Sequence, residues 1–300
     1  MQWDAVELEN GAAYQWQEPG EDALWRLECL ADEVWLTSPA LPDAGAAADH
    51  RLAGLQACLA EHMATDPASG VRFVANDAGQ VSAQILLQGM SLAAGRSAEF
   101  QASVEAGQTQ LRHVWQDWSD VMGSGQAPRN LERLRSTDVA DFDRLSQLIT
   151  QDPTLSTVSQ READEQVWTV EPEDEHWVAG IVLSHAQGHV DVVLPLGTLP
   201  LQEAAATTRL VSLLQFNAGQ TVGSKVLLGL DMAEVSEPFC VLKSTLDLGT
   251  VQAEDLQVAI GHLLTMAQEI QAEWGQNDSP PQVDARLDDL AHWQMMGLRG

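Results

Sequence analysis

His189-Val-Asp-Val-Val-Leu-Pro-Leu-Gly-Thr-Leu-Pro200 reads as a strand closed by a proline-marked break, and Leu210-Val-Ser-Leu-Leu-Gln-Phe-Asn217 reads as a helix that follows it. The strand, residues 189–194, is rich in β-branched side chains; the helix, residues 203–217, carries Leu210, Leu213, Leu214 and Phe216 at helical steps. Two more strand-like runs lie upstream, at 166–170 and 177–183, and Ala186-Gln187-Gly188 supplies a short hairpin turn into His189. Ahead of them Thr137 or Asp138 can cap a helix with the apolar face Val139, Phe142, Leu145, Leu148 and Ile149, and Pro153 lies just past its end. Downstream come strands at 225–231 and 239–246. A long helix over 253–274 follows, with the stripe Leu256, Ile260, Leu263, Leu264, Ala267, Ile270 and Trp274. The order is α-β-β-β-α-β-β-α.

The first half repeats most of this order about 156 to 158 residues earlier. Leu41-Pro42 parallels Leu199-Pro200, Leu52 and Leu55 parallel Leu210 and Leu213, Ala83-Gln84-Ile85 parallels Cys240-Val241-Leu242, and Trp118 parallels Trp274. Its last helix, from Ala98 to about Asp120, has Phe100, Val104, Leu111, Trp115 and Trp118 on one side. Two copies of one unit is the economical reading. Four strands, at 6–8, 14–16, 24–27 and 34–36, leave no room for an opening helix in the first copy, so an extra strand is expected there.

Gly123-Ser-Gly-Gln-Ala-Pro128 punctuates the chain without apolar periodicity, giving a first, divergent unit over 1–122, a linker over 123–136 and a second unit over 137–275. The remaining 276–300 form a tail, in which Val283, Leu287, Leu290, Trp293 and Met296 make an amphipathic stripe that either packs as a helix on the first unit or frays as a chain end. The expected fold is therefore α+β: two tandem α-β-β-β-α-β-β-α units, each a mainly antiparallel sheet packed against helices, the first lacking its opening helix.

Composition excludes several function classes. The chain has 300 residues, 45% of them apolar, and 44 acidic against 15 basic residues give a formal net charge of −29. Such a field repels phosphate backbones and anionic lipid, so no nucleic acid and no membrane is expected as a partner. Three cysteines, Cys29, Cys58 and Cys240, stand far apart without a CxxC, which suits a reducing cytoplasm. The acidic start and the lack of a long apolar run point the same way.

Chemistry-bearing patterns fail one by one. His185 and His189 have HxxxH spacing, with His176 nearby, but a turn intervenes and no metal is expected. Gly219-Gln-Thr-Val-Gly223-Ser-Lys225 leads into a strand and lacks the ending of a phosphate loop. Cys58 and His62 share a helix and read as residues that pack or face solvent; Glu171, Glu173, Asp174 and Glu175 read as a solvated loop run. No cofactor, catalytic residue or enzymatic activity is expected.

Ten tryptophans stand beside one tyrosine and five phenylalanines, with Trp16, Trp25, Trp35, Trp168 and Trp177 in expected strands. Most strand tryptophans are core residues, although indole also suits half-exposed binding faces. The element order, the acidic charge, Val192-Val-Leu-Pro195 before Leu199-Pro200 and the Leu-Leu-x-x-Asn helix together resemble class I chaperones of bacterial type III secretion. The resemblance covers 138–274 best and 13–120 weakly. The first copy departs from it in reading Leu52-Ala-Gly-Leu-Gln-Ala-Cys-Leu59 without the asparagine.

The resemblance implies a small acidic cytoplasmic protein that binds the unfolded N-terminal segment of a secreted effector. Members act as homodimers, so a tandem copy implies an intramolecular pseudo-dimer, leaving the chain monomeric. On this reading the effector-binding residues are Leu145, Leu148, Val167, Trp168, Val170, Trp177, Trp16 and Trp25, on an apolar sheet face that also offers an open edge. The inter-unit interface is Leu52, Leu55 and Leu59 facing Leu210, Leu213 and Leu214. The alternative is a regulatory or scaffold protein using the same fold to bind a folded partner.

Overall fold

Among the described residues, twelve strands form two sheets with one strand order. In the computed structural model the described residues are 4–8, 11–17, 24–30, 33–42, 48–64, 71–90, 98–124, 139–151, 159–160, 167–170, 179–183, 188–199, 206–219, 226–231 and 238–277. The first half runs β1 (Asp4–Leu8), β2 (Gly11–Gln17), β3 (Leu24–Leu30), β4 (Glu33–Thr37), α1 (Ala48–Ala64), β5 (Val71–Ala75), β6 (Val81–Leu87) and α2 (Ala98–Ser124). The second runs α3 (Val139–Gln151), β7 (Ser159–Gln160), β8 (Val167–Val170), β9 (Ala179–Leu183), β10 (His189–Thr198), α4 (Ala206–Gly219), β11 (Val226–Asp231), β12 (Phe239–Asp247) and α5 (Ala253–Asn277). The fold is α+β, and all described strand pairs are antiparallel.

One sheet has the order β1-β2-β3-β4-β6-β5 and the other, read from its far end, β7-β8-β9-β10-β12-β11. The correspondence extends to single hydrogen bonds. Leu41 N–H donates to the Val81 carbonyl at 2.7 Å, and Leu199 N–H donates to the Pro238 carbonyl at 2.8 Å. Val71 pairs with Ile85 as Leu228 pairs with Leu242. Helices α1 and α4 begin at Ala48 and Ala206, as far apart along the chain as Leu41 and Leu199. The short β7 was not anticipated; with it, both sheets have six strands.

Compactness crosses the midpoint of the sequence. One unit comprises Met1–Pro128 with Ala204–Lys225, the other Arg129–Glu203 with Val226–Gly300. Helix α4 therefore belongs to the first unit although the strands before and after it belong to the second. Of the segment expected as a linker, residues 123 and 124 close α2 and 125–136 lie outside the described residues, as does the tail beyond Asn277.

Within the first unit, strand alternation sets Trp16, Trp25, Leu27, Leu36, Ile85 and Val71 on one face, each opposite the next along the ladder or two residues away on its strand. Helix α2 covers this face against β4 and β6. Its approach is set by Gly107, where a Cβ would lie 2.8 Å from Leu36 Cδ2 and 3.3 Å from Ile85 Cγ2. A glycine inside a helix is unfavourable by propensity, so close packing is the reason for it here.

Within the second unit α5 packs on β10 and β12, and α3 packs on β9 and α5. Two polar clamps hold α3. Asp141 Oδ2 accepts from Gly188 N–H at 2.9 Å, and Arg144 donates to the carbonyls of Leu248 and Gly249. Strand β10 runs beyond the expected Leu194 because a bulge between Pro195 and Gly197, at φ 127°, absorbs the proline and lets pairing with β12 continue to Thr198.

Candidate functional site

The first unit holds a seat for α4. The helix packs on β5 and on α1. Leu210, Leu213 and Leu214 are buried on α4; Leu55, Leu59 and Met63 are buried on α1, and Leu52 is half-buried. Their helical spacing puts each set on one stripe, so the seat is an apolar groove by sequence.

A polar lock closes its far end. His62 and Asn217 are both fully buried. Phe73 N–H donates to His62 Nε2 at 2.7 Å, and the Asn217 amide lies 3.1 Å from His62 Nδ1. Asn217 Nδ2 is the amide atom placed there; because Nε2 accepts, the neutral ring carries its proton on Nδ1, so the pair is satisfied when the amide is flipped to turn its oxygen to the ring. One imidazole thus joins α1 to the backbone of β5 and to α4.

The turn from β5 to β6 adds a second polar contact. Asn76 Oδ1 accepts from the N–H groups of Ala78 and Gln80, both at 3.0 Å, while its backbone carbonyl accepts both Gly79 N–H at 2.8 Å and Gln215 Nε2 at 2.9 Å. Gly79, at φ 74°, turns the chain so that a Cβ there would sit 3.5 Å from Val211 Cγ1.

Cys58 stands one turn before His62 on α1. Burial, and secondarily the charge of Glu61, push its thiol well above the usual range. That is the opposite of an activated nucleophile. Both ring nitrogens of His62 are already committed to structural hydrogen bonds. His62 ties elements together, and Cys58 is a buried core thiol beside it on α1.

The other face of the first sheet carries a polar ladder that sequence reading missed. Arg26 pairs with Thr37, Thr37 with Gln84, and Gln84 with Arg72. Arg72 Nε donates to Gln84 Oε1 at 2.8 Å; Gln84 Nε2 donates to Thr37 Oγ1 at 3.0 Å and to Glu28 Oε2 at 3.2 Å; Arg26 pairs with Glu28 at 2.8 Å. The Arg72 guanidinium stacks 3.6 Å from the centroid of Trp35. Burial lowers Arg72 to about 10 against the pull of Glu28 and Glu33. The signal in sequence is slight: one arginine inside the apolar strand VRFVA.

The expected effector-binding side chains sit differently from a half-exposed face. Trp16, Trp25 and Trp168 are 2%, 3% and 3% exposed, and Leu145 is fully buried. The cause is the helix layer. Phe142 on α3 meets Trp168 at 5.2 Å between ring centroids, and Arg112 on α2 lies 5.4 Å over Trp25. Leu148 is half-buried on α3. Val167 and Val170 lie in β8 with side chains outside the described set; Trp177, His176, His185 and the carboxylates from Glu171 to Glu175 lie outside the described residues.

Among the described residues no group of three or more His, Cys, Asp or Glu is placed to hold a metal ion, and no helix is long and apolar enough to cross a membrane. Comparison of the chain with protein-family models finds no match, and comparison with curated proteins finds none either.

Proposed function

We propose that the chain is a secretion-chaperone-like binding protein of the cytoplasm, which holds an extended N-terminal segment of a type III effector and makes or breaks none of its bonds. One observation carries the reading: the central helix of the second copy of the module is seated in the first unit, against the corresponding helix α1. A dimer of such modules fused into one chain has this arrangement. The shared strand order of the two sheets supports the same origin.

With Trp16, Trp25 and Trp168 buried, the surface this reading uses is main chain. Strand β1 ends the first sheet and, among the described strands, pairs with β2 alone. An extended segment adding beside it gains backbone hydrogen bonds, and the net charge of −29 favours a basic segment. The same burial favours the second reading, a regulatory scaffold that binds a folded partner, because it leaves these tryptophans no open face on which to grip an unfolded chain.

Capture of partners from the native host by the full chain, followed by truncation of each captured protein, separates the two. Binding that maps to an N-terminal segment, with slowed amide exchange in residues 4–8, supports the chaperone-like reading. A partner that binds undiminished without that segment overturns it in favour of the scaffold.

A further inference from the structure

We infer that the seat built from α1, β5 and the β5–β6 turn discriminates between the two corresponding helices of the chain, accepting α4 and rejecting a second copy of α1. The two halves of one molecule then pair with each other in preference to like halves of another molecule. The inference rests on the tandem-module reading above and adds to it a pairing code.

The code is read by aligning the helices from their common starts, Ala48 and Ala206. Leu210 and Leu213 correspond to Leu52 and Leu55, so either helix could fill the apolar floor. The remaining contacts differ. Asn217, which meets His62 Nδ1, corresponds to Leu59, and a leucine there would leave the ring proton without this buried acceptor. Leu214, fully buried, corresponds to Gln56, so an amide would enter an apolar position.

Two smaller differences act in the same direction. Gln215, which donates to the Asn76 carbonyl, corresponds to Ala57. Val211, in reach of the Gly79 turn, corresponds to Ala53 and would leave a gap. Four mismatches over two shared leucines make the surface directional: attraction to α4 comes from the lock, and rejection of α1 comes from loss of the Asn217 contact to the imidazole and from a buried amide.

The test uses the full chain with a protease site placed between residues 128 and 136, cut after folding, the two fragments carrying different tags. Native mass spectrometry and sedimentation should find the fragments held together one to one, with no pairs of first fragments. Leu214→Gln/Asn217→Leu should make the cut complex dissociate about tenfold or more readily, and His62→Leu should restore part of the loss from Asn217→Leu alone.

Gln215→Ala, at a half-buried position, should weaken the cut complex severalfold and serves if the double variant does not fold. Fragments that separate outright after cutting would sink the tandem-pairing reading itself. Fragments that stay together, but pair equally well as first with first or are unmoved by these substitutions, would overturn the selectivity while leaving the tandem reading in place.

Discussion

His62 Nδ1 lies 3.1 Å from the amide of Asn217, a residue 155 positions further along the chain, and both side chains are buried. The same ring accepts the N–H of Phe73, so a single imidazole ties a strand, its neighbouring helix and a helix from the other half of the sequence. A buried polar triad of this kind adds specificity as well as stability, since any partner that fails to complete it leaves a desolvated group unpaired.

Asn217→Ala should destabilise the chain by about 1–3 kcal/mol, the usual consequence of removing one partner from a buried hydrogen bond. His62→Leu should cost a similar amount, because Phe73 N–H then loses its acceptor. The double variant should lose less than the sum of the two. Urea unfolding at neutral pH measures all three; strictly additive losses would mean that the two side chains do not act on each other.

Two helical glycines should respond in opposite directions to the same substitution. At Gly107 a Cβ would meet Leu36, Ile85 and Leu87 at 2.8, 3.3 and 3.4 Å, whereas at Gly261 on α5 nothing lies within 4 Å. Gly261→Ala should gain about 1 kcal/mol from helix propensity alone. Gly107→Ala should receive the same benefit and lose more than that to overpacking, of order 1–3 kcal/mol before the benefit is counted. Thermal unfolding of the two variants against the parent decides; a stabilised Gly107→Ala would show that α2 can move away from the sheet at little cost.

The repeat was legible because its landmarks are backbone-determined. Leu41-Pro42 and Leu199-Pro200 end equivalent strands, and the paired bonds to Val81 and Pro238 follow from that. Leucine spacing likewise exposed α1 and α4. Strand β7 was not legible, since Ser159–Gln160 is two polar residues with no alternation. For Trp16, Trp25 and Trp168 the sequence leaves core and binding face both open: a strand pattern says which residues share a face, and only tertiary packing says whether a helix covers it. For the same reason the sequence marks neither Arg72 nor the hydrogen-bonding role of His62: their partners, Gln84 and Asn217, lie on other elements.

Trp168→Ala should behave as a core truncation. The indole is 3% exposed and packs on Phe142 of α3, so the loss should be about 3–5 kcal/mol. Arg144→Ala, which removes the clamp onto the carbonyls of Leu248 and Gly249, should loosen the same helix by about 1–3 kcal/mol. Both should increase amide exchange along α3 before the rest of the second unit. A folded Trp168→Ala chain of parental stability, with only partner binding impaired, would return that residue to the binding surface.

Alkaline pH should weaken the fold through its buried thiols. Cys58 and Cys240 are both pushed upward by burial from an ordinary value of 9.0. Below that value both states keep the two protons and the thiols contribute no pH dependence; above it the unfolded chain releases protons that the folded chain retains, so stability falls as pH rises. Arg72 works in the other direction, but only later. Lowered by burial to about 10 from 12.5, it is protonated in both states below that window, and within it the unfolded chain holds the extra proton, which makes stability rise with pH. Arg72 begins to titrate only toward the top of the interval from pH 8 to pH 10 and is common to the parent and a thiol-free variant, so the difference between them isolates the thiols. Across that interval the parent should lose about 2–3 kcal/mol more than a Cys58→Ala/Cys240→Ala chain does, whatever the baseline stability of that variant. Equal losses in the two chains would mean that the thiols reach solvent and ionise in the folded state, and that the core around α1 and β12 opens more readily than its packing implies.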